Sequence, residues 1–178
     1  MNESMAGKWD YSKVENPSRY GEDNQTYVKG MEWLAGCKTI EDWGCGMGWA
    51  RQFTPKGAQY VGVDGSACKF TDKVEDLVKY RSTVDGIFMR HVIEHNLDWE
   101  PILHNFIASF SKKASLILFT PFREKTTPCL ADGVRMIYDV LFAKNDILQT
   151  FVGCSFREEH LPVTKTAYGE ETVFYLSK

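Results

Sequence analysis

Two stretches of the chain carry residues whose types and spacing could do chemistry. The first is TIEDWGCGMGWA, Thr39 to Ala50, where Asp42 precedes Gly44, Gly46 and Gly48 at every second position. Glycine reaches positive φ at little steric cost and lets a ligand press against the backbone. Three glycines in five residues, after an apolar-to-acidic run, read as a loop wrapped around a ligand. A helix starting near Met47 would aim free N–H groups at it. The second stretch is RHVIEHNLDW, Arg90 to Trp99, where His91 and His95 flank Glu94. Histidine titrates near neutral pH and suits proton transfer.

The glycine loop fits poorly to phosphate. The dinucleotide pattern G-x-G-x-x-G would need glycine at position 49, which is Trp49. The phosphate-cradling pattern would need Gly-Lys followed by Ser or Thr, and none follows; the first cation is Arg51. Asp64 stands twenty residues after Gly44. An acidic residue there accepts ribose hydroxyls in nucleotide-binding α/β folds and repels a 2′-phosphate. Asp42 can attract an ammonium group directly or through water. A ribose joined to a cationic amino acid fits both carboxylates.

The elements that must position these residues follow from periodicity. Tyr27, Val28, Met31 and Leu34 mark an amphipathic helix over 24–35, with Gly36 as its stop. Strands are predicted at Thr39–Trp43, Gln59–Val63, Lys73–Glu75, Val84–Met89 and Ser115–Thr120. At most two helical turns fit between Gly48 and Pro55, and a short helix is expected after Gly65-Ser66. Asp98 caps a helix whose apolar stripe is Ile102, Leu103, Phe106, Ile107 and Phe110. A short helix at 145–151 and two final strands, near 154–161 and 171–176, close the chain as an antiparallel pair. This alternation predicts a Rossmann-like, doubly wound α/β fold with a mostly parallel seven-stranded sheet, abbreviated helices and an antiparallel C-terminal strand. Ligands of such sheets bind beyond the strands' carboxyl ends, where the glycine loop, Asp64 and the run after Met89 all lie.

Length and composition fit one domain. The 178 residues are 43% hydrophobic and 25% charged, with net charge −3, which argues against a nucleic-acid surface. No window reaches the roughly 18 apolar residues of a membrane span. The first residues lack a charged-then-apolar signal pattern. Five cysteines without a C-x-x-C pair point to a reducing, cytoplasmic setting and away from a zinc site. Residues 1–24, with Trp9, Tyr11 and Tyr20, read as an arm or lid on a single domain spanning 25–178. Residues 121–144, with Phe122 and Arg123, read as a second lid segment or as core cover. Trp43 is expected in the core and Trp49 nearer the ligand.

Together DWGCGMG (Asp42–Gly48), YVGVDGS (Tyr60–Ser66) and VDGIFMRHVIEHNLDW (Val84–Trp99) resemble the first, second and fourth motifs of class I S-adenosylmethionine-dependent methyltransferases. The last takes the xxxEHxxD form common among small-molecule and glycan enzymes. The resemblance covers about residues 25–120 and, more loosely, the rest. It implies S-adenosylmethionine as cofactor and S-adenosylhomocysteine as product. By that resemblance Asp42, Gly44, Cys45, Gly46 and Gly48 would face the methionine part and ribose. Asp64, with Gly65 and Ser66, would hold the ribose hydroxyls. Asp76 and the amide of Leu77 would read the adenine edge. Arg90, or its carbonyl, would lie by the methionine end. His91, nearest the strand end, is the favoured general base, and His95 is better suited to positioning. Tyr20, Trp49, Phe122 and Arg123 are candidates for the acceptor side. The segment between Gly48 and Gln59 is short for the family's first helix, and the third-strand region is compressed.

Rival readings remain open. HVIEH matches the H-x-x-E-H zinc-protease pattern, but that motif needs a long helix, and here a strand feeds it. Thr127-Pro128-Cys129 contains a Pro-Cys pair, yet after the fifth strand, so Cys129 reads as a loop thiol. A small-molecule, sugar or nucleoside-type acceptor, methylated at O or N by a monomer or homodimer, leads. A cofactor-binding partner subunit without chemistry is the second reading. RNA or DNA methylation is the third.

Overall fold

The computed structural model describes residues 23–129 and 139–178. Tyr20, most of the arm and the middle of the 121–144 segment lie outside them. Seven strands form one sheet: β1 (Thr39–Trp43), β2 (Gln59–Asp64), β3 (Lys73–Val74), β4 (Val84–Arg90), β5 (Phe110–Leu118), β8 (Ser155–Leu161) and β9 (Glu171–Ser177). Their order is β3-β2-β1-β4-β5-β9-β8. The first five run parallel, and β9 is antiparallel to both β5 and β8. Two further strands, β6 (Thr127–Cys129) and β7 (Asp139–Leu141), pair antiparallel outside this sheet.

Strand order switches between β1 and β4, so the carboxyl ends of β1, β2 and β4 open onto one crevice. Side chains alternate across each strand and sort into two cores. Ile40, Phe88, Ile117, Val173 and Tyr175 face helix α1 (Gln25–Trp33). Trp43, Val63, Ile87, Met89, Leu116, Leu118, Phe174 and Leu176 face α2 (Trp99–Ser109) and α3 (Lys144–Leu148). The α2 stripe expected from spacing is buried in full: Ile102, Leu103, Phe106, Ile107 and Phe110. Helix α1 settles close to the sheet at Gly30, where a Cβ would stand 2.7 Å from Phe88 Cε2.

The helix after the glycine loop is a short 3₁₀ helix, Trp49–Phe53, within the two turns expected there. The structure differs from expectation in two places. No helix follows Gly65-Ser66. The fifth strand starts at Phe110, where α2 ends, rather than at Ser115. There the polar run Ser111–Lys113 hid a strand that β4 and β9 complete as ladder partners.

In place of a helix, a buried polar node fastens the β3–β4 crossover. Glu41, wholly buried, accepts hydrogen bonds from Lys73 Nζ (2.8 Å), Tyr80 OH (2.9 Å), Ser82 Oγ (2.7 Å) and Trp43 Nε1 (2.9 Å). Burial alone would raise its pKa, but these donors outweigh burial and lower it. Asn105 on α2 adds a second tie, donating to the Leu77 and Val78 carbonyls.

Candidate active site

All three loop glycines adopt positive φ: Gly44 at 73°, Gly46 at 51° and Gly48 at 65°. At Gly44 the need is double, because a Cβ would lie 2.3 Å from Val92 Cγ2. The glycine loop therefore packs directly on the turn that carries His91. The Gly44 and Cys45 amides both donate to the Val63 carbonyl, at 2.7 and 3.1 Å, tying the loop to the end of β2.

Asp64 completes that tie. Its Oδ2 accepts from Gly46 N at 2.9 Å and its Oδ1 from Ser66 N at 2.8 Å. Burial raises its pKa, with the two amides opposing. A carboxylate offers about four lone-pair sites, so each oxygen keeps one for a further donor. The Ser66 hydroxyl beside it is buried without a partner. Gly65 is the bend between them. Together these groups form a polar cradle at the end of β2 with hydrogen-bonding capacity left over.

Asp42 is not the free anion expected from its position. It is 3% exposed, and the Tyr60 hydroxyl donates to its Oδ2. Burial lifts its pKa to about 7, with nearby Asp64 adding to the rise. Asp76 follows β3 and accepts from Val78 N at 3.1 Å, which fixes a turn beside the Leu77 amide. Cys45 is buried, and its thiol pKa is pushed far up by desolvation, so it packs as a small apolar group.

The Arg90 side chain is held by residues of α1 and β9. Its Nε donates to Thr26 Oγ1 (2.9 Å), one terminal nitrogen to Tyr27 OH (3.1 Å) and the other to Glu171 Oε1 (2.9 Å). The guanidinium also stacks on the Tyr27 ring.

His91 follows with φ 58°, the one positive value outside glycine among the described residues. Such a conformation is sparsely populated and marks a local constraint. Its Nε2 lies 2.6 Å from Glu171 Oε1. Burial and then the Arg90 charge lower its pKa to about 3. That makes His91 a weaker base than its sequence position suggests.

His95, by contrast, places Nδ1 3.2 Å from Asp139 Oδ1, and Asp139 Oδ2 accepts from Tyr168 OH at 3.0 Å. Three rings surround Phe119: His91 at 4.6 Å, His95 at 5.4 Å and Tyr168 at 5.8 Å between centroids. Phe119 N–H is held by Glu94 Oε1 at 2.8 Å. Glu94 is wholly buried, and desolvation raises its pKa to about 7. The five residues of HVIEH span a turn and one 3₁₀ turn, without the helix that the zinc pattern needs. Among the described residues no cluster of three His, Cys, Asp or Glu is arranged for a metal.

Trp43 is fully buried, whereas Trp49 is half-buried and its Nε1 donates to Asn24 at 2.8 Å. Phe122 packs against the core near Phe174, and exposed Arg123 pairs its backbone with Phe142. Phe119, Asp139, Tyr168 and Glu171 were missed by sequence reasoning. Glu171 had one signal: a carboxylate at the mouth of an apolar strand, ETVFYL.

Residues 33–164 match the family model for a methyltransferase domain. The match spans most of the chain, and the chain belongs to this family. A search of curated proteins finds no sequence match. Among solved structures, similarity is found to the Burkholderia thailandensis 1,6-didemethyltoxoflavin-N1-methyltransferase with bound 1,6-didemethyltoxoflavin and S-adenosylhomocysteine. The TM-score is 0.69 at 12% identity, covering 94% of this chain and 84% of that one. The magnesium protoporphyrin IX methyltransferase of Synechocystis PCC 6803, with bound S-adenosylmethionine, aligns with TM-score 0.60 at 18% identity over 98% and 88%. An S-adenosylmethionine-dependent methyltransferase from Mesorhizobium loti aligns with TM-score 0.60 at 10% identity over 87% and 97%. At these identities the likeness is one of fold. No helix of the described residues is long and apolar enough to cross a membrane.

Proposed function

We propose that this protein is an S-adenosylmethionine-dependent methyltransferase acting on a small-molecule acceptor at oxygen or nitrogen. The observation that carries the reading is the junction of three strand ends. Gly46 and Ser66 amides clasp Asp64, while Gly44 packs on Val92 beside His91. The spare lone pairs of Asp64 and the orphaned Ser66 hydroxyl suit a ribose diol. The glycine loop, held at positive φ, is the backbone that the amino-acid part would lie along. Asp42 beneath the loop supplies negative charge once a cation lowers its pKa. Asp76 and the Leu77 amide suit an adenine edge. Membership of the methyltransferase-domain family and the cofactors named in the similar structures support the same cofactor here.

S-adenosylmethionine supplies an activated methyl group. The protein's task is to align the acceptor and take its proton. An acceptor hydroxyl or amine that takes the methyl group would give up its proton to a base on the protein. His95, paired through Nδ1 with Asp139, is the better candidate for that base. His91 serves recognition instead. The acceptors in the names of two similar structures, 1,6-didemethyltoxoflavin and magnesium protoporphyrin IX, support a small-molecule acceptor here.

Calorimetry with S-adenosylmethionine and S-adenosylhomocysteine tests the cofactor assignment. Saturable one-to-one binding at micromolar concentration is expected, and no heat at millimolar ligand overturns it. Release of S-adenosylhomocysteine across a panel of small acceptors separates an enzyme from a cofactor-binding partner subunit.

A further inference from the structure

Glu171 lies at the start of β9, 80 residues from His91 and outside every motif that pointed to the site. It is buried, and its Oε1 collects three groups: Thr26 Oγ1 at 3.0 Å, an Arg90 nitrogen at 2.9 Å and His91 Nε2 at 2.6 Å. Arg90 Nε also donates to Thr26 Oγ1, which closes a ring of three side chains from α1, β4 and β9, with His91 joined to it at Glu171. A carboxylate in such a ring can only accept. His91 Nε2 must therefore carry the hydrogen, and the opposite nitrogen, Nδ1, is left as a lone pair. Nδ1 makes no hydrogen bond among the described residues. The His91 ring rests on Phe119, beside His95 and Tyr168, and its turn touches the glycine loop through Val92.

Building on the methyltransferase reading, we propose that Glu171 is a positioning residue that locks His91 in the Nε2–H tautomer. His91 Nδ1 then reads a neutral O–H or N–H donor on the acceptor. The lock selects acceptors with a second donor besides the methylated group, such as polyols or N–H heterocycles. It disfavours carboxylates, which bring no hydrogen to Nδ1 and meet the Asp139 and Glu171 charges. Burial and the Arg90 charge keep the ring neutral across the physiological range, so recognition does not switch with pH. The charged and titratable groups facing His91 are Arg90, Glu171 and His95.

The tautomer can be read without activity, by long-range ¹H–¹⁵N spectra of ¹⁵N-histidine-labelled protein. The Nε2–H pattern is expected for His91 from pH 5 to 8. An Nδ1–H pattern, or an imidazolium signal near pH 6, overturns the lock. In Glu171→Gln the amide can donate to Nε2 and let the hydrogen move to Nδ1. That variant is expected to show the altered pattern and to lose at least tenfold in kcat/KM, with cofactor Kd changed less than twofold. Glu171→Asp should restore part of both. Loss of cofactor binding in Glu171→Gln would mean a merely structural role and overturn the proposal. A preference for carboxylate acceptors, giving methyl esters, would overturn the selectivity. Failure of the wild type to bind cofactor would instead overturn the methyltransferase reading and leave the spectroscopic result standing.

Discussion

The Gly46 amide donates to the Asp64 carboxylate at 2.9 Å, joining the loop after β1 to the end of β2. One carboxylate therefore shapes the loop and retains acceptor sites for a ligand. On the proposed reading, folding and binding are coupled through it. In Asp64→Asn the side-chain amide would present N–H to backbone N–H. Affinity for S-adenosylmethionine should fall at least tenfold by calorimetry. The melting temperature should drop as well, since leaving a buried donor unmade costs about 1–3 kcal/mol.

Gly44 and Gly57 share positive φ but differ in surroundings. A Cβ at Gly57 meets nothing within 4 Å, whereas at Gly44 it would overlap Val92. Left-handed backbone alone costs alanine about 1–2 kcal/mol. Gly57→Ala should lose about that in urea denaturation. Gly44→Ala should lose distinctly more and also bind no cofactor. Equal losses would refute the packing of the loop on the His91 turn.

On the proposed reading, Asp42 couples cofactor binding to pH. With its pKa lifted to about 7, it is largely protonated at pH 5.5 and ionised at pH 8. A cationic ligand favours the ionised form, so S-adenosylmethionine should bind more tightly as pH rises, by up to about tenfold per unit below pH 7. Calorimetry at pH 5.5, 6.5 and 8 checks this. Asp42→Asn should flatten the profile.

Glu94 carries a stability term of defined sign. Its folded-state pKa of about 7 lies above the usual 4.5, so the folded protein holds a proton that the unfolded chain has released. The contribution is full below about pH 4.5 and is lost as pH rises through 7. The two limits differ by on the order of 3 kcal/mol. Glu94→Gln, which keeps an acceptor for Phe119 N, should be less sensitive to this change than the wild type. Urea denaturation of both proteins at pH 5 and pH 8 measures the difference.

Glu41 stands in for a missing helix. Glu41→Ala would strand Trp43, Lys73, Tyr80 and Ser82. Leaving a buried donor unmade costs about 1–3 kcal/mol, while half-exposed Lys73 regains water. Hydrogen exchange should rise in the β3–β4 crossover before it rises in β5 or β9. Uniform exchange would show that the node does not hold this segment.

The sequence by itself determined the order of the seven sheet strands and of the three α-helices, the glycine loop and the residues at the strand ends. These are near-neighbour properties: alternation in TIEDW, helical spacing from Ile102 to Phe110, and glycines where φ must be positive. The crossover after Gly65-Ser66 was misread because its hold on the sheet comes from distant side chains, not from a local helical stripe. Tertiary structure alone decided the partners. The sheet order inserts β9 between β5 and β8, bringing Glu171 to His91 across 80 residues. Asp139 reaches His95 from a strand pair outside the main sheet. Arg90 was legible as a strand-end residue, but its side-chain partners Thr26, Tyr27 and Glu171 were not. Burial, a property of the packed molecule, then separated Asp42, Glu94 and His91 from the protonation behaviour that their residue types suggest.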